Sequence, residues 1–177
     1  MCQQAAYDCG MADSAPPVAR WLDAREQVAW RAFLDMHAQL AAQLNRELQE
    51  TSGVSSADFA VLVQLSEHAD SRMRVLELAR ALRWEKSRLS HQLTRMTQRG
   101  LLERSDCSED RRGAFIVLTA RGRDTVERAA PHHVESVRRY LFDQLSDDQV
   151  ETLATIARTV IGQLDAAGGC SGEDTCG

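Results

Sequence analysis

Between Val75 and Gly100 two short apolar periodicities meet across a connection of only three residues, and this limits what the chain can become. Val75, Leu78, Ala79 and Leu82 put one apolar face on a two-turn helix. Arg83-Trp84-Glu85 then lead straight into a second helix from Lys86 to Arg99, whose apolar positions are only Leu89, Leu93 and Met96. The rest of its surface is Ser87, Arg88, Ser90, His91, Gln92, Thr94, Arg95, Thr97 and Gln98, side chains that are polar and mostly short. Gly100 stands where a left-handed residue stops a helix. Two helices joined by so tight a turn, the second with a face of donors and acceptors, form a helix-turn-helix.

Two β-type runs follow, Leu101–Ser105 and Ala114–Thr119, separated by the polar segment Asp106–Gly113, which reads as an eight-residue hairpin loop. A helix-turn-helix followed by a hairpin with a basic tip is a winged helix. Its reading helix enters the major groove because no bulky apolar side chain blocks approach, and arginines at the wing tip suit the narrow minor groove. The charge distribution agrees. The chain carries a net charge of −5, yet residues 72–112 hold eleven Lys and Arg against six Asp and Glu, a local +5 within a remainder of −10. An acidic frame with one basic segment suits a protein of which one surface meets phosphates.

The flanks are helical. Ala29, Phe33, Met36, Leu40, Leu44 and Leu48 make one stripe on a long helix from Trp21 to Gln49. Gly53 breaks it, and Ser55 and Asp58 have capping-box spacing ahead of Phe59, Leu62, Val63 and Leu65, a short helix ending near His68. Residues 69–73 read as a loop. After the wing, Val126, Ala130, Val134, Val137, Leu141 and Leu145 form a second stripe. Val150, Leu153, Ala157, Val160 and Leu164 form a third, a coiled-coil-like seam introduced by Ser146-Asp147-Asp148. With three prolines, ten glycines and 5% aromatics, the class is mostly α, and 44% hydrophobic residues suffice for a core. No run approaches the roughly 20 apolar residues of a membrane span. Asp8, Asp13 and Asp23 do not fit a signal peptide, so the expectation is a soluble, cytoplasmic protein with no membrane partner.

The text LARALRWEKSRLSHQLTRMTQRGLLERSDCSEDRRGAFIVLT carries a resemblance: the run from Val75 to Thr119 resembles the MarR family of bacterial transcriptional regulators. Gly100-Leu101-Leu102-Glu103-Arg104 resembles the family's G-L-V-x-R, and Asp110-Arg111-Arg112 through Leu118-Thr119 its D-x-R wing ending in L-T. The likeness extends over about residues 20 to 166; Glu85 departs from the usual Ser, Thr or Asp at the start of the reading helix. The resemblance implies a homodimer and a division into a cysteine-containing flexible tail (1–20), an N-terminal dimerisation helix (21–54), a winged helix-turn-helix (55–119), C-terminal dimerisation helices (120–166) and a second cysteine-containing flexible tail (167–177). The expected function is a repressor reading a pseudo-palindromic double-stranded operator.

Base-edge contacts are expected from Ser87, Arg88, Ser90, His91, Thr94 and Arg95, and minor-groove contacts from Arg111 and Arg112, with Asp110 orienting a wing arginine. Regulators of this type resemble one another in a pocket for a small phenolic or amphipathic effector, and Trp30 and His37, seven apart on one helical face, are its candidate lining. Cys2, Cys9, Cys107, Cys170 and Cys176 offer a rival thiol switch. Their C-x6-C and C-x5-C spacings match neither a zinc pair nor a haem motif, so no cofactor is expected, and a metal- or iron–sulfur-sensing regulator is a lesser alternative. The chain has no G-x-S-x-G, no H-E-x-x-H and no glycine-rich phosphate loop, and His132-His133 have no partnering cysteines, so an enzyme is not expected. The remaining alternative is a helical protein-interaction module without DNA binding.

Overall fold

The computed structural model describes residues 19–105 and 115–169. Its elements run in the order α1 (Ala24–Ser52), α2 (Ser56–Glu67), β1 (Arg72–Arg74), α3 (Val75–Leu82), α4 (Lys86–Gln98), β2 (Leu102–Ser105), β3 (Phe115–Leu118), α5 (Ala120–Tyr140) and α6 (Asp147–Gly169), with a 3₁₀ turn at Phe142–Gln144 before the last. The chain is mostly helical and contains a winged helix-turn-helix, the class expected. Two compact units divide it, residues 1–37 and 38–177.

In the first unit the helix starts three residues later than the stripe suggested. Asp23 Oδ1 accepts the N–H groups of Arg25 at 2.7 Å and Glu26 at 2.8 Å, and Glu26 Oε2 accepts the Asp23 N–H at 2.9 Å. A reciprocal carboxylate cap satisfies amides that Trp21 and Leu22 have no side-chain oxygen to serve, so the helix begins behind Asp23. Along its exposed surface Trp30 stacks on Phe33 at 5.9 Å and Phe33 on His37 at 6.2 Å, a ladder of rings.

The second unit is organised around Leu62, Leu65, Leu78, Leu89, Leu93, Met96, Leu102 and Ile116, all fully buried. Ser55 and Asp58 cap α2 reciprocally, as their spacing indicated, and Gly100 closes α4 at φ +71°. The sheet differs from the expected hairpin. It has three antiparallel strands in the order β1-β3-β2, with Met73 opposite Ile116 and Arg104 also opposite Ile116 from the other side. The segment expected to be a loop at 69–73 thus contributes a strand at Arg72–Arg74, in which Met73 is buried between two arginines. Three residues are too few for a period of two to be recognised. The strand forms because the left-handed Ser71 aims the chain along β3, and Ser71 O accepts the Leu118 N–H at 2.9 Å. Thr119 caps α5, and Gly122 follows because a Cβ there would meet Leu101 O at 2.2 Å.

The stripe read after the wing is also corrected. α5 ends at Tyr140, so Leu141 and Leu145 lie beyond it, and Val134 is 57% exposed. The buried face is Gly122, Thr125, Val126, Ala129 and Ser136, with His133 half-buried. These small residues let α5 close on α2 and on the C-terminal part of α1, so polar Thr125 and Ser136 go inside where an apolar count would not place them. His133 rests on the Phe59 ring at 4.7 Å, and burial pushes its imidazole pKa down. Glu47 of α1 accepts from Ser136 Oγ, from Tyr140 Oη at 2.5 Å, from Arg139 Nη2 at 2.8 Å and from Gln43 Nε2 at 3.0 Å. In α6 only Val150 and Leu153 are half-buried between Asp147 and Ala167, and Ile156, Val160 and Leu164 stay exposed.

The hydrogen bonds from Ser136 and Tyr140, aided by Gln43 and the Arg139 charge, hold the Glu47 carboxyl at a pKa of about 2 against the partial burial that opposes them. Its contribution to stability is therefore complete above the ordinary value of 4.5 and is lost as pH falls toward about 2. Urea unfolding followed from pH 6 down to pH 3 is expected to show a shallower loss of stability in Glu47→Gln than in the parent protein; parallel curves would remove Glu47 from the acid response.

Candidate nucleic-acid interface

Helix α4 is set by its two ends. Arg83 takes the left-handed conformation at φ 52°, which no β-branched residue would accept readily, and the Trp84 N–H donates back to Ala79 O at 2.9 Å. This turns the chain within three residues from α3 into α4. Glu85 is the N-cap but makes no side-chain cap bond, consistent with its poor fit to that position. Leu89, Leu93 and Met96 then seat α4 in the core.

The opposite face brings six expected residues together: Ser87, Arg88, Ser90, His91, Thr94 and Arg95 are all exposed on α4. From Lys86 to Gln98 the helix carries three Lys and Arg and no Asp or Glu, so nothing on it repels a polyanion. Arg88 lies with its guanidinium carbon 4.4 Å from the centre of the Trp84 ring. Stacking uses the face of the guanidinium and leaves its edge of N–H donors free, the edge that pairs with a guanine. An open groove runs along this surface, lined by Ala57, Arg88, His91, Gln92, Thr94, Arg95 and Gln98. A second, lined by Gln49, Gly53, Ser55, Asp58, Gln92, Arg95 and Arg99, adjoins it.

One residue assigned to the polar surface is buried. Gln92 is only 4% exposed, and its Nε2 donates to Asp58 Oδ1 at 2.6 Å. Asp58, 5% exposed, accepts from Arg99 Nη1 at 2.8 Å and from the Ser55 N–H and hydroxyl at 2.9 Å each through Oδ2. Arg99 Nη2 also donates to Gly53 O at 2.7 Å. Asp58 was legible as a cap; that it also faces Gln92 and Arg99, 34 and 41 residues along the chain, had no local signal. Also unforeseen are Arg72 and Arg74, whose guanidinium carbons lie 5.1 Å and 5.0 Å from the Phe115 ring centre where β1 meets β3. Their only sequence trace is membership of the basic segment.

Asp110, Arg111 and Arg112 lie outside the described residues, as do Cys2, Cys9, Cys107, Cys170 and Cys176. Trp30 and His37 belong to the ring ladder of the first unit. Among the described residues no three His, Cys, Asp or Glu side chains come together as a metal cage, and no helix is long and apolar enough to cross a membrane.

Residues 54–113 match the MarR family. The chain is 42% identical to AbsC, a MarR family transcriptional regulator from Streptomyces coelicolor, covering 84% of this chain and 99% of that one with a TM-score of 0.79. It is 38% identical to Sco3205, another MarR family regulator from Streptomyces coelicolor solved in complex with DNA, covering 82% of this chain and 92% of that one, again with a TM-score of 0.79. A curated relative, the transcriptional repressor MprA of Escherichia coli strain K12, is 23% identical over 141 residues, 80% of this chain and 79% of that protein.

The Asp58 cluster both caps α2 and ties it to α4, so Asp58→Ala is expected to destabilise the fold by about 2–4 kcal/mol, more than the roughly 1 kcal/mol of losing the cap alone in Ser55→Ala. Urea unfolding of the two variants gives the ordering; equal losses would mean that the bonds to Gln92 and Arg99 contribute nothing net.

Proposed function

The chain belongs to the MarR family of transcriptional regulators, and from that premise we propose that it is a homodimeric repressor reading a pseudo-palindromic operator in double-stranded DNA. The observation that carries this reading is the exposed face of α4, where Ser87, Arg88, Ser90, His91, Thr94 and Arg95 stand together on a helix without acids. Short hydroxyl side chains permit close approach to base edges, and the two arginines supply bidentate donors for guanine. Two such helices related by a two-fold axis meet half-sites about one helical turn, ~34 Å, apart. Arg111 and Arg112 are assigned to the minor groove and Asp110 to holding one of them by a charge-assisted bond.

Dimerisation is assigned to residues 21–54 and 120–166, which flank the reading region 55–119. The unpartnered apolar face of α6, with Ile156, Val160 and Leu164 each more than half exposed, supports it. The releasing signal is assigned to a small amphipathic molecule rather than to thiol oxidation. The exposed ring ladder Trp30–Phe33–His37 supports that preference, offering flat faces to an aromatic effector. The site of action is the cytoplasm.

Genomic fragments bound by the protein, followed by anisotropy titration at several salt concentrations, test the reading. Arg88→Ala is expected to relax preference at one base position per half-site at a cost of ~1–3 kcal/mol each. A uniform loss on all sequences would move Arg88 to phosphate contact. No salt-dependent affinity for duplex DNA would favour a helical protein-interaction module instead.

For assembly, the double substitution Leu153→Glu and Leu164→Glu is expected to give folded monomers in sedimentation with poor operator affinity. Neither side chain is fully buried in the single chain, so the acids burden the seam rather than the core. A dimeric double variant would place the seam elsewhere.

A further inference from the structure

We infer that Gln92 is a specificity-positioning residue, which the buried Asp58 carboxylate orients so that its carbonyl oxygen holds the Arg95 guanidinium at the reading face; the inference rests on the DNA-reading role proposed for α4. A primary amide on the inner side of a helix, beside Leu89, Leu93 and Met96, costs stability unless both of its ends are satisfied. Here both are. Gln92 Nε2 donates to Asp58 Oδ1 at 2.6 Å, and Gln92 Oε1 accepts from Arg95 Nη2, one turn along the same helix.

The direction of this relay follows from its anchor. Asp58 accepts through Oδ2 from Arg99 Nη1 and from the Ser55 N–H and hydroxyl, and through Oδ1 from Gln92 Nε2, so both of its oxygens serve as acceptors. A Gln92 amide turned the other way would set oxygen against oxygen at Asp58 and leave Arg95 facing an NH2 group. The buried carboxylate thus selects one amide orientation, and that orientation presents an acceptor to Arg95 alone.

The consequence reaches the surface. Arg95 lines both grooves along α4. A free arginine samples many rotamers and pays for their loss on binding, whereas one held by a single nitrogen keeps its remaining donors for a base edge. Arg88 is steadied by the Trp84 ring; Arg95 has no ring contact of that kind described and is steadied from inside the domain by Gln92. Arg99 Nη1 bonds Asp58 Oδ2 at 2.8 Å and its Nη2 bonds Gly53 O at 2.7 Å, so the anchor between α2 and the end of α4 persists when Gln92 is changed.

The test uses the full-length protein and an operator selected from randomised duplexes, with affinity measured against every single-base variant at two salt concentrations. Gln92→Met keeps the length of the side chain but neither donates nor accepts. It is expected to lose about tenfold in discrimination at the same base position that Arg95→Ala relaxes. The double variant should lose no more than Arg95→Ala, and the salt dependence should be unchanged. The exchange Asp58→Asn with Gln92→Glu keeps the total charge and rebuilds the relay, an amide now donating to a carboxylate that accepts from Arg95. It should restore the discrimination, and it stands as the second measurement should Gln92→Met fold poorly. Undiminished discrimination in Gln92→Met, a uniform loss on all sequences, or an exchange variant that folds without restoring discrimination would each overturn the inference while leaving DNA reading intact. A wild-type protein that prefers no duplex sequence would overturn the DNA-reading role, and the inference with it.

Discussion

The buried Asp58 carboxylate is the point on which the placing of α4 depends. Taking a carboxylate out of water is costly unless its oxygens are filled, and here they are filled from the start of α2, the inner side of α4 and the end of α4 at once. Apolar contacts between helices tolerate sliding and rotation; a carboxylate with directional partners on both does not. The apolar seat of Leu89, Leu93 and Met96 says that α4 packs, while Asp58 says at which rotation. That rotation decides which six side chains face outward.

The rest of the second unit serves the same end by close approach. Gly122 brings α5 against the Leu101 carbonyl, Gly100 ends α4 in a conformation that avoids Cβ strain, and β1 adds a third strand to what would be a bare hairpin. On α6, Asp165 pairs with Arg83 at 3.0 Å while Ile156, Val160 and Leu164 stay in water. Among the described residues nothing covers these three side chains.

Local chemistry explains what could be read in advance. Capping at Ser55 and Asp58, the stop at Gly100, the three-residue turn and the inner stripe of α4 each depend on residues within about one helical turn of each other, so they are written in the order of the chain. The readings that failed required partners far away. Gln92 looked like any surface glutamine because its partner Asp58 is 34 residues earlier. Residues 69–73 read as a loop because the pairing of Arg72–Arg74 with β3 crosses α3 and α4. The α5 stripe was read from apolar residues, whereas helix proximity selected small ones, Gly122, Ala129 and Ser136, and turned Val134 outward.

By itself the sequence determined the order and type of the helices, the tight turn, the basic segment and the family, because capping, periodicity and local charge are short-range properties of the chain. Only the tertiary structure decided that Asp58, Gln92, Arg95 and Arg99 act together, that a third strand braces the wing, and which side of α5 is inside. Those outcomes depend on hydrogen bonds and steric contacts between residues tens of positions apart, and they exist only once the chain has closed on itself.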